Sequence, residues 1–374
     1  LRKIAKRSFD SLTAYFPVMM VSPNVCSSMF ELKPELFDYV IFDEASQLKI
    51  EESLTVLVRG ERKIISGDSN QMPPSYWFTA AADGQDDIDE DEYDPYNSWE
   101  ESLKTDEGSR DLADSESLLE FAELCKFESY KLDFHYRSHH PLLVEFSNAA
   151  FYKNRLQPLP QRIENSPIQF IRVDGLYEDQ SNKDEANIVV ETLRRIDRDT
   201  EGDYPSIGVA TFNQKQKELI LNGLKREAQL DEAFRVKYLE LQEEGLFVKN
   251  LENIQGDERD IIILSTTFGK DSEGKFVKKY GPINRPGLGQ RLLNVIVTRA
   301  KKKIFVLTSI PEDAINDYRV ELNNSGSDRG YLHAYLAYAS AVSDKDKDRI
   351  DSILKSLSED QANQSFEFGL TESP

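Results

Sequence analysis

Residues 251–268 read LENIQGDERDIIILSTTF, a polar turn of Gln255, Gly256, Asp257 and Glu258 followed by the apolar run Ile261–Leu264. Such a run, bounded by charged and polar residues, has the pattern of a strand covered on both faces in a parallel sheet. A strand of this kind can be entered through a plain turn. It can also be entered through a loop that touches a nucleotide or another polyanion at the carboxyl edge of the sheet. The segments around it decide between the two.

The same design recurs along the chain. FDYVIFDEASQ (37–47) carries the apolar run Tyr39–Phe42 between acids, as in a central parallel strand. KIISGDSNQMPPS (63–75) is a short apolar strand, then Gly67-Asp68, then a loop ending in prolines. PVMMVSPNVCSSM (17–29) reads as a strand leading into a turn, and PIQFIRVDG and SIGVATFN read as strands. Helical spacing links Leu118, Leu119, Ala122 and Leu124, and continues after Pro141 at Leu142, Leu143, Phe146, Ala149 and Ala150. A helical segment runs from Asn213 through Gln242, interrupted by Gly223, and residues 292–309 begin as helix and end as a strand at Ile304–Leu307. GYLHAYLAYASAV (330–342) is an amphipathic helix, followed by a loosely held Ser/Asp/Lys-rich tail. Strands alternating with helices predict α/β layers around mostly parallel sheets. Ligands of such sheets bind beyond the carboxyl ends of strands. There the sequence places Asp43-Glu44, Asp68 to Gln71 and Thr211 to Gln214, with Arg299 nearby.

The chain has 374 residues, 39% hydrophobic and 30% charged, which suits two domains. It holds no apolar run of about 18 residues, and the basic start LRKIAKRSFDSLTAYF lacks the apolar core and cleavage site of a signal peptide. A start at Leu1 instead of methionine suggests a fragment or a processed product. Cys26 and Cys125 have no metal spacing and fit a reducing, cytoplasmic setting as free thiols; the histidines in FHYRSHH lack partners for a metal site. The net charge is −21, but fifteen acids against Lys104 and Arg110 between Asp83 and Glu116 supply −13 of it, leaving −8 elsewhere. That acidic run reads as a solvated loop or, alternatively, as an acidic plug for a basic groove. The modest remainder does not exclude a nucleic-acid partner.

An apolar strand ending in Asp-Glu suits nucleotide hydrolysis: the first acid holds Mg²⁺ through water and the second polarises the attacking water. FDEASQ followed about twenty residues later by SGDSNQMPP resembles superfamily 1 helicases, in the branch of the nonsense-mediated-decay RNA helicase. The further stretches LDFHYRSHHPLLVEFSNAAFY, IGVATFNQKQ, ENIQGDERDIIILS and LLNVIVTRAKKKIFVL occur in that family's order across residues 17–310. The acidic insert and SESLLEFAEL…FHYRSHH look closest to large bacterial helicases that carry a C-terminal very-short-patch-repair-like endonuclease domain, and the final TESP resembles the approach to it. The resemblance implies a RecA-like P-loop NTPase fold with one partial parallel-sheet domain (1–128) and one complete (129–340), then the tail (341–374).

It also implies ATP and Mg²⁺ as cofactors and single-stranded DNA or RNA as partner, with 5′-to-3′ movement. By resemblance Asp43 holds Mg²⁺, Glu44 is the catalytic base, Gln71 senses the γ-phosphate, and Arg137 and Arg299 are arginine fingers. Tyr136 stacks on the base, Glu258 reaches the nucleotide through the Gly256 turn, and Thr211 and Thr298 contact the nucleic-acid backbone. Each has a plainer reading. Arg137 can be a structural salt-bridging arginine, Arg299 one of several solvated basics, Gln71 a turn cap, and Lys301–Lys303 a surface run between helix and strand.

No G-x-x-x-x-G-K-[ST] loop occurs in the sequence, and only 42 residues precede Asp43. The first domain is therefore expected to lack its phosphate cradle. Exposed apolar surface would then be covered by self-association, by another chain or by rearrangement. The chain by itself is expected to be inactive. Two other readings stay open: a non-hydrolysing nucleic-acid- or protein-binding module, and a subunit of a nuclease system.

Overall fold

A computed structural model describes residues 2–74, 115–159, 166–323 and 326–367. Residues 83–114 of the acidic run and the terminal TESP lie outside the described residues. The chain forms two units, Leu1–Lys131 and Leu132–Pro374. The α/β class with parallel sheets expected from the sequence is the one observed.

In the first unit, strands β1 (Phe37–Phe42) and β2 (Gly60–Ile65) pair in parallel, Phe37 opposite Gly60 and Phe42 opposite Ile65, with the helix Ile50–Arg59 connecting them. A parallel pair requires such a crossover, and Glu51 and Glu52 in its first turn with Arg59 in its last complement the helix dipole. Arg59 is buried. Its guanidinium donates to the carbonyls of Glu31 (2.9 Å) and Phe30 (3.0 Å), so the buried charge is satisfied by backbone. Phe9, Phe30 and Phe37 meet edge to face over a core that includes Leu12, Met29, Phe42, Val56 and Leu118.

Two expectations for this unit change. Residues 23–29 are a helix, because the Ser22 hydroxyl accepts from the Val25 amide and Pro23 presets the first turn. β1 is not enclosed as a central strand: β2 is its one partner among the described residues, and Ile41 is 66% exposed.

The second unit has a short parallel pair, β3 (Phe134–His135) with β4 (Gln157–Pro158), and a five-stranded, all-parallel sheet. The sheet contains β5 (Ile168–Arg172), β6 (Ile207–Thr211), β7 (Phe247–Asn250), β8 (Arg259–Ser265) and β9 (Ala300–Thr308), in the order β5–β9–β8–β6–β7. Ile263 and Leu307 face a core shared with Val189, Leu193, Ile220, Leu224 and Phe234 from helices Lys183–Arg195, Gln214–Leu230 and Glu232–Glu243. Their neighbours Ile262, Leu264, Ile304 and Val306 are also fully buried, so both faces are covered and the run is continuous rather than alternating. The helix Arg329–Asp344 packs against β5.

The helical segment 213–242 breaks at Asp231, not at Gly223. Gly223 stays inside the first helix, whereas the Asp231 carboxylate caps the second by accepting from the Ala233 and Phe234 amides. The helix expected to be amphipathic at 330–342 is buried nearly all round, with Leu332, His333, Leu336 and Tyr338 all at zero exposure. The tail expected to be loosely held continues as the helix Lys347–Glu367. Lys345 in left-handed geometry turns the chain, the Asp346 carboxylate caps the Arg349 amide, and Ile350, Ile353 and Leu357 are buried. Leu357→Ala is expected to lower stability by roughly 2–5 kcal/mol in urea denaturation. A change below about 0.5 kcal/mol, typical of surface positions, would return this segment to a loosely held tail.

Candidate functional site

In the first unit the loops after β1 and β2 lie side by side at the carboxyl edge. The Ser66 amide donates to the Phe42 carbonyl (2.8 Å), and the Ala45 amide donates to the Ser66 carbonyl (2.8 Å). Asp43 and Glu44 follow β1 directly. The Asp43 carboxylate accepts from the Glu44 amide (3.0 Å), and Glu44 takes left-handed geometry, φ 53°, an uncommon conformation for a residue with a side chain. Its carboxylate accepts from Gln47 (3.2 Å). Gln71 donates through its side-chain amide to Asp68 (3.0 Å), which also caps Asn70, so the turn-capping role is present. The Gln71 amide oxygen and the Ser46 hydroxyl are buried without a hydrogen-bond partner. Buried polar atoms of this kind ordinarily find water or a ligand.

In the second unit a charged cluster forms at the opposite, amino edge. Arg259 opens β8 and pairs with Ala300, which opens β9, so the preceding residues Glu258 and Arg299 enter at one edge of the sheet. Gly256, at φ 82°, supplies the left-handed turn that reverses the chain before Glu258; a side chain there would be strained although it would meet open space. The Glu258 carboxylate accepts from Arg137 Nε (2.8 Å) and from Lys301 Nζ (2.7 Å). Lys301 first, then Arg137, hold this carboxyl below its usual range against the opposing effect of burial. The segment carrying Arg137 is fixed to β9 by the His139 amide, which donates to the Lys301 carbonyl (2.7 Å). Beside it, His135 pairs with Ser138 (2.9 Å), and its pKa is pushed down to about 4, first by burial and then by the charges of Arg137 and Arg299. One neutral imidazole therefore feels both arginines.

Arg299 itself is only 2% exposed, which rules out the solvated-basic reading. Its Nε donates to the Val295 carbonyl (2.8 Å) and its Nη2 to the Thr298 hydroxyl (3.1 Å). Tyr136 is 78% exposed, its ring available for stacking. The expected surface run Lys301–Lys303 is instead partnered residue by residue. Lys301 meets Glu258, Lys302 meets Asp260 (3.2 Å), and Lys303 lies over the Phe305 ring (4.5 Å).

The expected nucleic-acid contacts are placed differently. Thr211 ends β6 at the carboxyl edge, across the sheet from Glu258 and Arg299, and is fully buried with its hydroxyl donating to the Asn213 carbonyl (3.0 Å). Thr298 is buried too, its hydroxyl donating to the Asn294 carbonyl (2.8 Å). A hydroxyl already satisfied inside the chain cannot reach a backbone phosphate in this conformation. The expected loop at the carboxyl edge, 255–258, is correspondingly corrected to the amino edge, because it precedes its strand.

A second polar centre, not read from the sequence, lies at the carboxyl edge. The fully buried Glu185 carboxylate accepts from the Ser265 hydroxyl (2.6 Å) and the Thr267 amide (2.8 Å), while Gln216 bridges Ser265 (3.2 Å) and the Asn182 carbonyl (3.1 Å). Asn182 caps the helix at the Glu185 amide, so NKDE reads in sequence as an ordinary helix start, and only burial marks the acid.

The first unit carries adjacent acids directly after a strand, and the second carries paired cations at the amino edge of a parallel sheet. Residues 115–310, more than half of the chain, match the family described as AAA_12, AAA domain. The chain belongs to that family. It is 34% identical over 352 residues to a protein of Mycoplasma pneumoniae named "Uncharacterized ATP-dependent helicase MG140 homolog", covering 92% of this chain and 29% of that protein. It is 25% identical over 382 residues to "Helicase SEN1" of Saccharomyces cerevisiae, covering 93% of this chain and 15% of that protein. The chain thus spans less than a third of these relatives. A solved helicase structure, "The structure of PRRSV helicase", aligns over 72% of this chain and 34% of that one at 12% identity and TM-score 0.34. That likeness is too distant to add to the topology.

Burial raises the Glu185 carboxyl to about 7 from an ordinary value of 4.5, against the lowering effect of its hydrogen bonds. Between those values the folded chain holds a proton that the unfolded chain releases. Its stabilising contribution is therefore complete below about 4.5 and is lost as pH rises through about 7. Comparing wild type with Glu185→Gln by denaturation from pH 5 to 8, the difference is expected to move against the wild type by about 1–3 kcal/mol as pH rises. A pH-independent difference would mean that Glu185 does not titrate there.

Proposed function

We propose that the chain is part of an ATP-dependent superfamily 1 helicase or translocase that acts on single-stranded nucleic acid. The observation that carries this reading is the gathering of Arg137, Glu258 and Lys301, with Arg299 behind them, at one edge of a parallel sheet. Membership of the AAA_12 family and relatives named as ATP-dependent helicases support it.

The first unit fits Mg²⁺–ATP in part. Asp43 and Glu44 offer hard carboxylate oxygens after a strand, and the unpartnered buried oxygens of Gln71 and Ser46 suit a polar ligand. Among the described residues no group of three or more His, Cys, Asp or Glu side chains could hold a metal, so Asp43 would hold Mg²⁺ through water and with phosphate oxygens. The phosphate loop itself is absent from the 374 residues and would have to come from elsewhere in a longer protein. Bound Mg²⁺–ATP supplies the phosphoanhydride whose hydrolysis drives movement. For that reaction Glu44 orients and polarises the attacking water, Arg137 and Arg299 place positive charge where it is needed, Glu258 meets the nucleotide and Tyr136 stacks on the base. Arg299 reaches a phosphate only after leaving Val295 and Thr298. Both arginines are engaged by the chain itself in this structure, and that favours a second reading, a binding module that does not hydrolyse.

The two readings separate in a protein joining this chain to a phosphate loop. Glu44→Gln is expected to keep nucleotide binding and lose turnover, and Arg299→Ala to lower turnover by roughly 10³–10⁵-fold. A loss under tenfold in either, in a phosphate-release assay with magnesium and single-stranded nucleic acid, breaks the assignment. The 374 residues alone are expected to bind ATP poorly and to turn it over negligibly; magnesium-dependent, nucleic-acid-stimulated turnover from them would contradict that.

A further inference from the structure

Arg137 and Lys301 share one carboxylate but are held by the fold in different ways. Lys301 belongs to β9, in the irregular stretch between the paired residues Ala300 and Lys303; Arg137 lies in the segment between β3 and Pro141, outside any strand or helix. Each uses a different oxygen of Glu258, Oε2 for Arg137 at 2.8 Å and Oε1 for Lys301 at 2.7 Å. The three side chains are 29%, 32% and 41% exposed for Arg137, Lys301 and Glu258, so an incoming anion can reach them. A carboxylate engaged by two cations holds each less tightly than it would hold one, because the second cation offsets its charge and repels the first.

We propose that Glu258 withholds Arg137 while no nucleotide is present, and that Lys301 is the positioning residue that makes the withholding reversible. Lys301 anchors the carboxylate and weakens its grip, so the guanidinium can exchange Glu258 for a phosphate oxygen, which offers more negative charge. When Arg137 leaves, Lys301 remains as the counter-ion of Glu258 and no carboxylate is stranded. Without Lys301 the remaining pair is one to one, and Arg137 must abandon a lone carboxylate to act. This rests on the nucleotide reading above.

The test uses a protein joining this chain to a phosphate loop and follows Mg²⁺–ATP turnover. Lys301→Met is expected to lower kcat by roughly 10- to 100-fold, the scale of a misplaced catalytic group, with KM changed by less than about threefold. Lys301→Arg is expected to restore most of the rate. In a Glu258→Gln background Lys301→Met should cost nothing further, because Lys301 acts through that carboxylate. Equal losses with and without Glu258 overturn the proposal, as does a Lys301→Met rate within about twofold of wild type. If Lys301→Met does not fold, Lys301→Gln carries the same comparison. Wild type without any turnover removes the nucleotide reading itself, and with it this proposal. Normal wild-type turnover with a silent Lys301 removes only the latter.

Discussion

The pairing of β8 with β9 is the constraint on which the second unit depends. Two apolar runs, Ile261–Leu264 and Ile304–Leu307, lie side by side in parallel at the middle of the sheet and are buried on both faces. Burial of that apolar surface fixes the register, since a slip by one residue would exchange every side chain between faces. The register changes by one residue at the start of the strands: Ile261 lies opposite Lys303, whereas Arg259 lies opposite Ala300. With that irregularity Glu258 and Arg299 enter side by side, and Lys301, in the irregular stretch of β9, meets the Glu258 carboxylate. The charged cluster thus depends on the apolar pairing and on the irregularity next to it.

The two edges of this sheet treat polar groups differently. At the amino edge, Arg137, Glu258 and Lys301 are partly exposed, and their charges are balanced against one another in reach of water. At the carboxyl edge, Glu185, Ser265, Thr267 and Gln216 form a buried network, in which Glu185 Oε1 and Thr267 Oγ1 have no hydrogen-bond partner. The first arrangement can rearrange around an anion at little desolvation cost. The second rigidifies the loops that leave β6 and β8. The sheet thus carries a partly exposed charged cluster at its amino edge and a buried polar centre at its carboxyl edge.

Legibility followed the range of the interaction. Continuous apolar runs announced β1, β2, β5, β6, β8 and the end of β9, because a short run of β-forming apolar residues between turn residues leaves a local signature whether or not both faces are covered. The loop residues Asp43, Glu44, Gln71 and Gly256 were likewise local, each sitting directly beside a strand with turn chemistry around it. β7 was missed because Phe247–Asn250 is short and half-buried, and β3 and β4 are only two residues each. The C-terminal segment was underestimated because its apolar residues, Ile350, Ile353 and Leu357, are sparse among polar ones. Their burial depends on surfaces supplied by helices far away in sequence.

The chain's order of residues by itself determined the α/β class, most of the strands, and which polar residues stand next to them, because those features rest on spacing and turn chemistry within a few residues. The tertiary structure alone decided which edge each cluster occupies. It sent Thr211 and Thr298 inward, satisfied by their own backbone, and it turned Lys301 from one lysine in a run into a partner of Glu258. Those outcomes depend on strand order and on contacts across more than a hundred residues, such as Arg137 with Glu258, for which local spacing carries no information.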